Sequence, residues 1–149
     1  MKVQQLAESN GVRTFAVVLD QGEEAFACLT RFASDNAITG ASISAIGAFE
    51  TATLAWFDVA SKAYRDIPVT AQSEVLSIIG DIAQDDEGKP SLHAHAVLGF
   101  EDGSTRGGHL VKGIVRPTLE VVVMETPKHL HRRKRPDLGV ALIDLDSSR

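Results

Sequence analysis

Apolar residues cluster in short stretches along most of the chain, and polar segments separate these stretches. Residues 12–19 form one of them and are rich in β-branched side chains, which is typical of a buried strand. The same criteria predict further strands at residues 41–48, 51–58, 64–65, 73–82, 91–100, 105–116 and 118–125. Because proline cannot donate a hydrogen bond to a sheet, we expect the strand over 105–116 to end before Pro117.

One segment departs from this pattern because its apolar residues recur at helical spacing. Phe26, Leu29 and Phe32 follow one another at intervals of three, so residues 23–36 are predicted to form a helix. The acidic residues that open the segment suit the positive end of the helix dipole, and Asn36 ends it. Many short strands and one helix predict an α+β protein with a mostly antiparallel sheet.

Polar segments with glycine predict the connections between strands. Residues 84–90 predict a hairpin loop, and the Asp102-Gly103 pair favours a tight turn between the two strands that flank it. No repeat, low-complexity segment or long linker divides the sequence. We therefore expect residues 1–149 to form a single domain.

The composition is that of an ordinary globular protein, with 44% hydrophobic and 23% charged residues. No apolar run approaches the roughly 20 residues of a membrane span, and the first residues lack a signal-peptide core, so we expect a cytoplasmic protein with no membrane partner. Cys28 is the single cysteine, which excludes an internal disulfide framework and a cysteine-rich zinc site. A net charge of −5 does not indicate a basic nucleic-acid-binding protein.

Three of the five histidines lie in two short motifs. His93 and His95 are two residues apart and should share one face of a strand, and paired glycines precede His109, which a hairpin would bring beside them. Three neutral imidazoles suit a divalent metal, zinc above all, and leave one coordination position open. The alternative is that these histidines only form the polar face of a strand.

Two carboxylates stand at or within apolar strands. Glu74 begins one strand, and Glu120 interrupts another, where alternation places it on the same face as Val122 and Met124. A charge on such a face is costly to bury unless it is paired or bound. Glu74 and Glu120 are therefore candidates for a metal ligand, a partner of a ligating histidine or a general base. The alternative is a rim position or an ion pair with an arginine.

The one strong cluster of charge is the basic run over residues 128–135. Its candidates for phosphate contacts are Arg132, Arg133, Lys134 and Arg135. A solvated surface loop is the alternative interpretation, since the sequence around the run carries as many acidic as basic residues and has no net basic excess.

Several of these motifs occur together in an order that resembles the plant and prokaryote conserved domain (PPC domain) in the stand-alone form of bacteria and archaea. The similar segments are residues 43–49, 74–82, 88–95, 107–110 and 118–121. The resemblance extends from Arg13 to Glu125 and leaves residues 126–149 as a C-terminal extension.

The resemblance implies an α+β fold with a mixed, largely antiparallel sheet and few helices, assembled as a homotrimer. It also implies that the histidines of the two motifs converge, since some stand-alone members are metal-containing proteins. The metal ligands would then be His93, His95 and His109. Glu74 and Glu120 match family positions near that site.

Plant members of this family bind DNA through a separate AT-hook, and this chain departs from that pattern. The nearest string, residues 133–136, has lysine where the hook requires glycine. A lysine side chain at that point would crowd the narrow minor groove. We therefore do not interpret the string as an AT-hook.

Two hypotheses about function remain. The first is a trimeric protein that binds a divalent metal, with zinc as the favoured ion, and acts on a small molecule, for example by hydrolysis, because zinc acidifies a bound water. The second is a non-enzymatic module for protein assembly or DNA association, in which the basic run contacts phosphates.

Overall fold

The computed structural model describes residues 1–146, and within them the chain forms nine strands and one helix. In chain order the elements are β1 (Lys2–Ser9), β2 (Val12–Asp20), α1 (Ala25–Asp35), β3 (Gly40–Asp58), β4 (Ala63–Val69), β5 (Ser73–Gln84), β6 (Pro90–Gly99), β7 (Thr105–Glu125), β8 (Arg132–Arg135) and β9 (Val140–Ile143). The end of the predicted C-terminal extension, residues 147–149, lies outside the described residues. No helix in the described part of the chain is long and apolar enough to span a membrane.

Seven of the strands form one sheet in the order β1-β2-β7-β6-β5-β3-β4. Each pairing in this sheet is antiparallel. β7 pairs with β3 as well as with β6, so β3, β5, β6 and β7 form a closed ring of hydrogen-bonded strands. Strands β8 and β9 form a separate hairpin. The predicted α+β class with a largely antiparallel sheet is confirmed.

The inner side of the ring and one side of α1 share a single hydrophobic core. Phe32 of the helix, Phe49 and Leu54 of β3 and Leu98 of β6 are almost completely buried there. The rings of Phe15 and Phe32 meet edge to face at a centroid distance of 5.3 Å, which is a favourable aromatic arrangement. The apolar residues at helical spacing therefore attach the helix to the ring, as the sequence predicts.

The helix is fixed to β7 through its N-cap. The Glu24 carboxylate accepts hydrogen bonds from the backbone N–H groups of Phe26 and Ala27, and a third from Gly113 of β7. One acidic side chain thus satisfies two free N–H groups of the helix and one of the strand. For this reason the helix begins after Glu24 and not at residue 23.

β3 and β7 are each one strand where two were predicted. Gly47 has a φ of +154° and lies against the Thr118 backbone with no room for a side chain. The register between the two strands shifts on both sides of Phe49, so both strands bend there and continue. Pro117 lies in this irregular stretch at an exposed position. The prediction that the strand ends before Pro117 is wrong. Proline lacks a backbone N–H, but Pro117 lies where the pairing between β3 and β7 is already interrupted, so the strand continues past it.

Two elements give no clear hydrophobic signal and were not predicted. All eight residues of β1 are exposed, so its sequence lacks the alternation of a half-buried strand. Strand β8 consists entirely of basic residues. It pairs with β9 across the turn that ends at Gly139, so the basic run continues into a hairpin and is not simply a solvated loop.

The paired glycines of β7 have different surroundings. A Cβ atom on Gly108 would lie 2.6 Å from the carbonyl oxygen of Ala55 on β3, which is closer than any real contact. A Cβ atom on Gly107 would lie 3.3 Å from the carbonyl oxygen of Ala96, which a small shift relieves. The close approach of β7 to β3 therefore depends on Gly108.

We expect Gly108→Ala to lower the free energy of unfolding by about 1–3 kcal/mol, because the added methyl group forces the two strands apart. Gly107→Ala is the matched control and should have a much smaller effect. Urea denaturation followed by circular dichroism measures both variants. Equal stability of the two variants would contradict the proposed role of Gly108.

Candidate metal centre

Three histidines converge on the outer face of the ring. His93 and His95 alternate with the buried residues of β6 and point away from the core. His95 pairs directly with His109 of β7. The ring centroids of His95 and His109 are 4.1 Å apart, and that of His93 is 5.1 Å from each. The structure thus brings together all three histidines that the sequence singled out.

This arrangement fits the donor set of a divalent metal. One ring nitrogen from each histidine lies within 4.8 Å of the other two. In a tetrahedral zinc site, bonds of about 2.0–2.1 Å place neighbouring nitrogens about 3.3 Å apart. Rotation of exposed or half-buried rings therefore suffices to close the site, and three protein ligands leave a fourth position for another molecule.

An aspartate and an arginine support His93 from the neighbouring elements. Asp81 of β5 pairs with His93 of β6, and its Oδ2 lies 3.9 Å from Nδ1 of the imidazole. The same carboxylate forms an ion pair with the guanidinium of Arg132, a side chain that is only 6% exposed. Asp81 therefore holds a cation on one side and a candidate ligand on the other.

A tyrosine contacts the third histidine. The hydroxyl oxygen of Tyr64 lies 3.3 Å from Nε2 of His109, and the two rings meet edge to face. No sequence pattern selects this residue, since it reaches the site through the pairing of β4 with β3. Asp81 was also missed, although the predicted hairpin over residues 84–90 places it opposite His93.

The surroundings of His93 and His109 favour the neutral form of these two imidazoles. Burial lowers the pKa of His93, and the positive charge of Arg132 lowers it further, against the effect of Asp81. Burial also lowers the pKa of His109, with the neighbouring imidazoles acting in the same direction and a hydrogen bond to the Ala55 backbone opposing them. Neutral imidazole is the form that binds a metal.

The two glutamates lie far from the histidines in the same chain. Glu74 is five residues along β5 from Ile79, which pairs with His95, a separation of roughly 17 Å at about 3.3 Å per residue. Glu120 is further still from His109 along β7, and it lines an open cleft together with Glu74. Within one chain the two glutamates are therefore separated from the histidine cluster, and their role at that site stays a prediction. Both are exposed, so no burial cost demands a bound partner.

The basic run is largely neutralised by carboxylates. Arg132 is only 6% exposed and forms an ion pair with Asp81, so its charge is already compensated within the chain. Arg133 and Arg135 form ion pairs with the aspartates at positions 144 and 137, at N–O distances of 3.0 Å and 2.9 Å. Lys134 is exposed.

Residues 6–127 match the Plants and Prokaryotes Conserved (PCC) domain, and the chain belongs to this family. Among curated proteins, the bifunctional protein GlmU of Synechococcus sp. (strain JA-3-3Ab) is 26% identical over 139 residues. That stretch is 92% of this chain but 21% of the relative, so the chain spans about a fifth of that protein's length.

Three solved structures are similar over most of their length. A plant- and prokaryote-conserved (PPC) protein from Pyrococcus horikoshii is 33% identical, with a TM-score of 0.82 over 89% of this chain and 91% of that chain. A metal-containing protein from Archaeoglobus fulgidus is 28% identical, with a TM-score of 0.82 and coverage of 97% and 99%. A candidate DNA-binding protein from Bacteroides thetaiotaomicron is 29% identical, with a TM-score of 0.87 and coverage of 97% and 98%.

The lowered pKa values of His93 and His109 predict how the stability of the metal-free protein depends on pH. Below the ordinary histidine pKa of about 6.5, the unfolded chain takes up protons that the folded protein does not. Stability is therefore complete above this pH and falls as the pH drops towards the lowered values.

Thermal denaturation of chelator-treated protein at pH 7.5 and 5.5 measures this dependence. The wild type should lose more stability over this interval than the double variant His93→Gln, His109→Gln. His129→Gln, outside the cluster, should behave like the wild type. An identical loss of stability in the wild type and in the double variant would contradict the assignment of the pH dependence to His93 and His109.

Proposed function

We propose that this PCC-domain protein binds one divalent metal ion per chain, with zinc as the favoured ion, through His93, His95 and His109. The observation that carries the proposal is the convergence of one nitrogen from each histidine within 4.8 Å. The metal-containing relative from Archaeoglobus fulgidus, which is similar over nearly the whole chain, supports it.

The surrounding side chains suit a site that acts on a small molecule. Bound zinc would supply an electrophile and acidify a coordinated water. The Tyr64 hydroxyl, 3.3 Å from His109 Nε2, is placed to hold or pass a proton at the edge of the site. The Asp81 carboxylate lies 3.9 Å from Nδ1 of His93, a position from which carboxylates commonly orient metal-bound histidines. We propose a hydrolytic or related activity on this basis.

The alternative of a DNA-associated module has less support. Its candidate contacts are in the basic run, and three of those four side chains are ion-paired within the chain. A phosphate could contact one of these arginines only if the ion pair with the aspartate broke, or if the arginine bound both anions at once.

Metal analysis of untagged protein tests the metal proposal. We expect close to one zinc or other divalent ion per chain in the wild type. His93→Ala should lose it, because two remaining ligands bind far more weakly than three. His129→Ala is the control and should retain the metal. Absence of metal from the wild type, even after incubation with zinc, would overturn the proposal.

We also propose that the chain assembles as a homotrimer through the outer face of the sheet. Large apolar side chains are exposed on strands of that face, and exposed apolar surface commonly marks an interface. They are Ile46, Leu76, Ile79, Val97, Val122 and Met124, between 39% and 67% exposed.

Light scattering after size exclusion tests the assembly. Ile46→Glu should shift the wild-type trimer towards the monomer, because the charge would be buried at the interface. Val59→Glu, in the exposed turn after β3, should leave the mass unchanged. A monomeric wild type would refute the proposed assembly.

A further inference from the structure

A cleft of about 510 Å³ opens beside His93, between the ring and the β8–β9 hairpin. We call it the hairpin cleft. Its walls come from β4, β6, the two hairpin strands and their connecting turn. The volume is within the usual range for small-molecule sites. A smaller cleft of about 310 Å³ is also lined by Tyr64 and His93, and by His109 as well.

The charge lining the hairpin cleft has one sign. Three cationic residues line it and no carboxylate does. Arg132 and Arg135 are each paired with an aspartate outside the lining. Lys134 differs from them: among residues 1–146 no ion pair involves its ammonium group, and the nearby Asp86 carboxylate accepts a hydrogen bond from its backbone N–H instead. The cleft therefore presents one uncompensated positive charge to a ligand.

The histidine end of the cleft adds to this preference. Three neutral imidazoles would leave the charge of a divalent ion uncompensated, and the nearby Asp81 carboxylate is already paired with Arg132. An anionic oxygen at the open coordination position would balance that charge. Both ends of the cleft thus favour a negatively charged ligand.

The remaining walls are apolar. Leu92, Pro136, Val140 and Ala141 line the cleft together with the ring of Tyr64. A strongly hydrated ion such as inorganic phosphate would gain nothing from these walls and would lose its water. A carboxylate attached to an apolar body matches both the charge and the walls.

We propose that the hairpin cleft binds a small organic carboxylate. The ammonium group of Lys134 attracts the carboxylate, and the apolar walls contact the rest of the ligand. The proposal deepens the metal-centre proposal, on which it rests for the contact between carboxylate and metal. The contribution of Lys134 is independent of the metal.

Ligand-observed NMR titrations with the full-length protein test the proposal, using benzoate as the probe and benzamide as its uncharged analogue. Zinc-loaded wild type should bind benzoate at least about tenfold more tightly than benzamide, and inorganic phosphate should compete poorly. Loss of one attractive charge predicts that Lys134→Gln weakens benzoate binding by about fivefold and leaves benzamide binding unchanged. Lys134→Arg should restore it.

Arg133→Gln is the matched control, because Arg133 precedes Lys134 on β8 but does not line the cleft. It should change benzoate affinity less than about twofold. If Arg133→Gln and Lys134→Gln weakened benzoate binding equally, the effect would come from general surface charge, and the proposal would be overturned. Equal affinity for benzoate and benzamide, or tight competition by phosphate, would also overturn it.

Repeating the titrations with chelator-treated protein separates this proposal from the metal centre. If zinc does not bind but Lys134→Gln still selectively weakens benzoate binding, the cleft proposal is supported and the metal-centre proposal is refuted. If zinc binds stoichiometrically and benzoate is not preferred, the metal centre stands and the cleft proposal fails.

Discussion

Backbone pairing of β7 on two sides is the constraint on which the site depends. Near its start, β7 is hydrogen-bonded to β6 and to β3, and His109 pairs with His95 on one side and with Ala55 on the other. These pairings close the ring and fix the position of His109 relative to β6. They also explain Gly108, because any side chain there would separate β7 from β3. The three imidazoles meet because the ring closes at this point.

The histidine cluster was predictable because short connections set the strand registers. The loop between β5 and β6 is short, so Gln84 pairs with Pro90 across it. The same register places Asp81 opposite His93. The turn after Gly99 likewise sets His95 opposite His109. The registers of two hairpins and the alternation of side chains along β6 therefore determine the positions of most residues in the site. Glu74 and Glu120 became candidates through their positions at or within apolar strands and through the resemblance, and no local register links them to the histidines.

Other features depend on contacts that sequence patterns do not encode. Tyr64 reaches His109 because β4 pairs with the far half of β3, and Arg132 reaches Asp81 from beyond the last ring strand. The bends that keep β3 and β7 continuous lie where a glycine and a proline normally indicate a break. Strand β1 was missed because it buries no side chain, although its backbone pairs with β2 on both sides of one irregularity at Leu6.

The metal-centre histidines lie within residues 6–127, whereas the β8–β9 hairpin lies beyond them. The turn between Arg135 and Val140 is exposed apart from its contact with Lys62, and exposed turns tolerate insertion well. Lengthening or exchanging this turn would reshape one wall of the cleft without disturbing the register that assembles the histidines. The proposed ligand selectivity and the proposed metal ligation are therefore separable in evolution and in protein engineering.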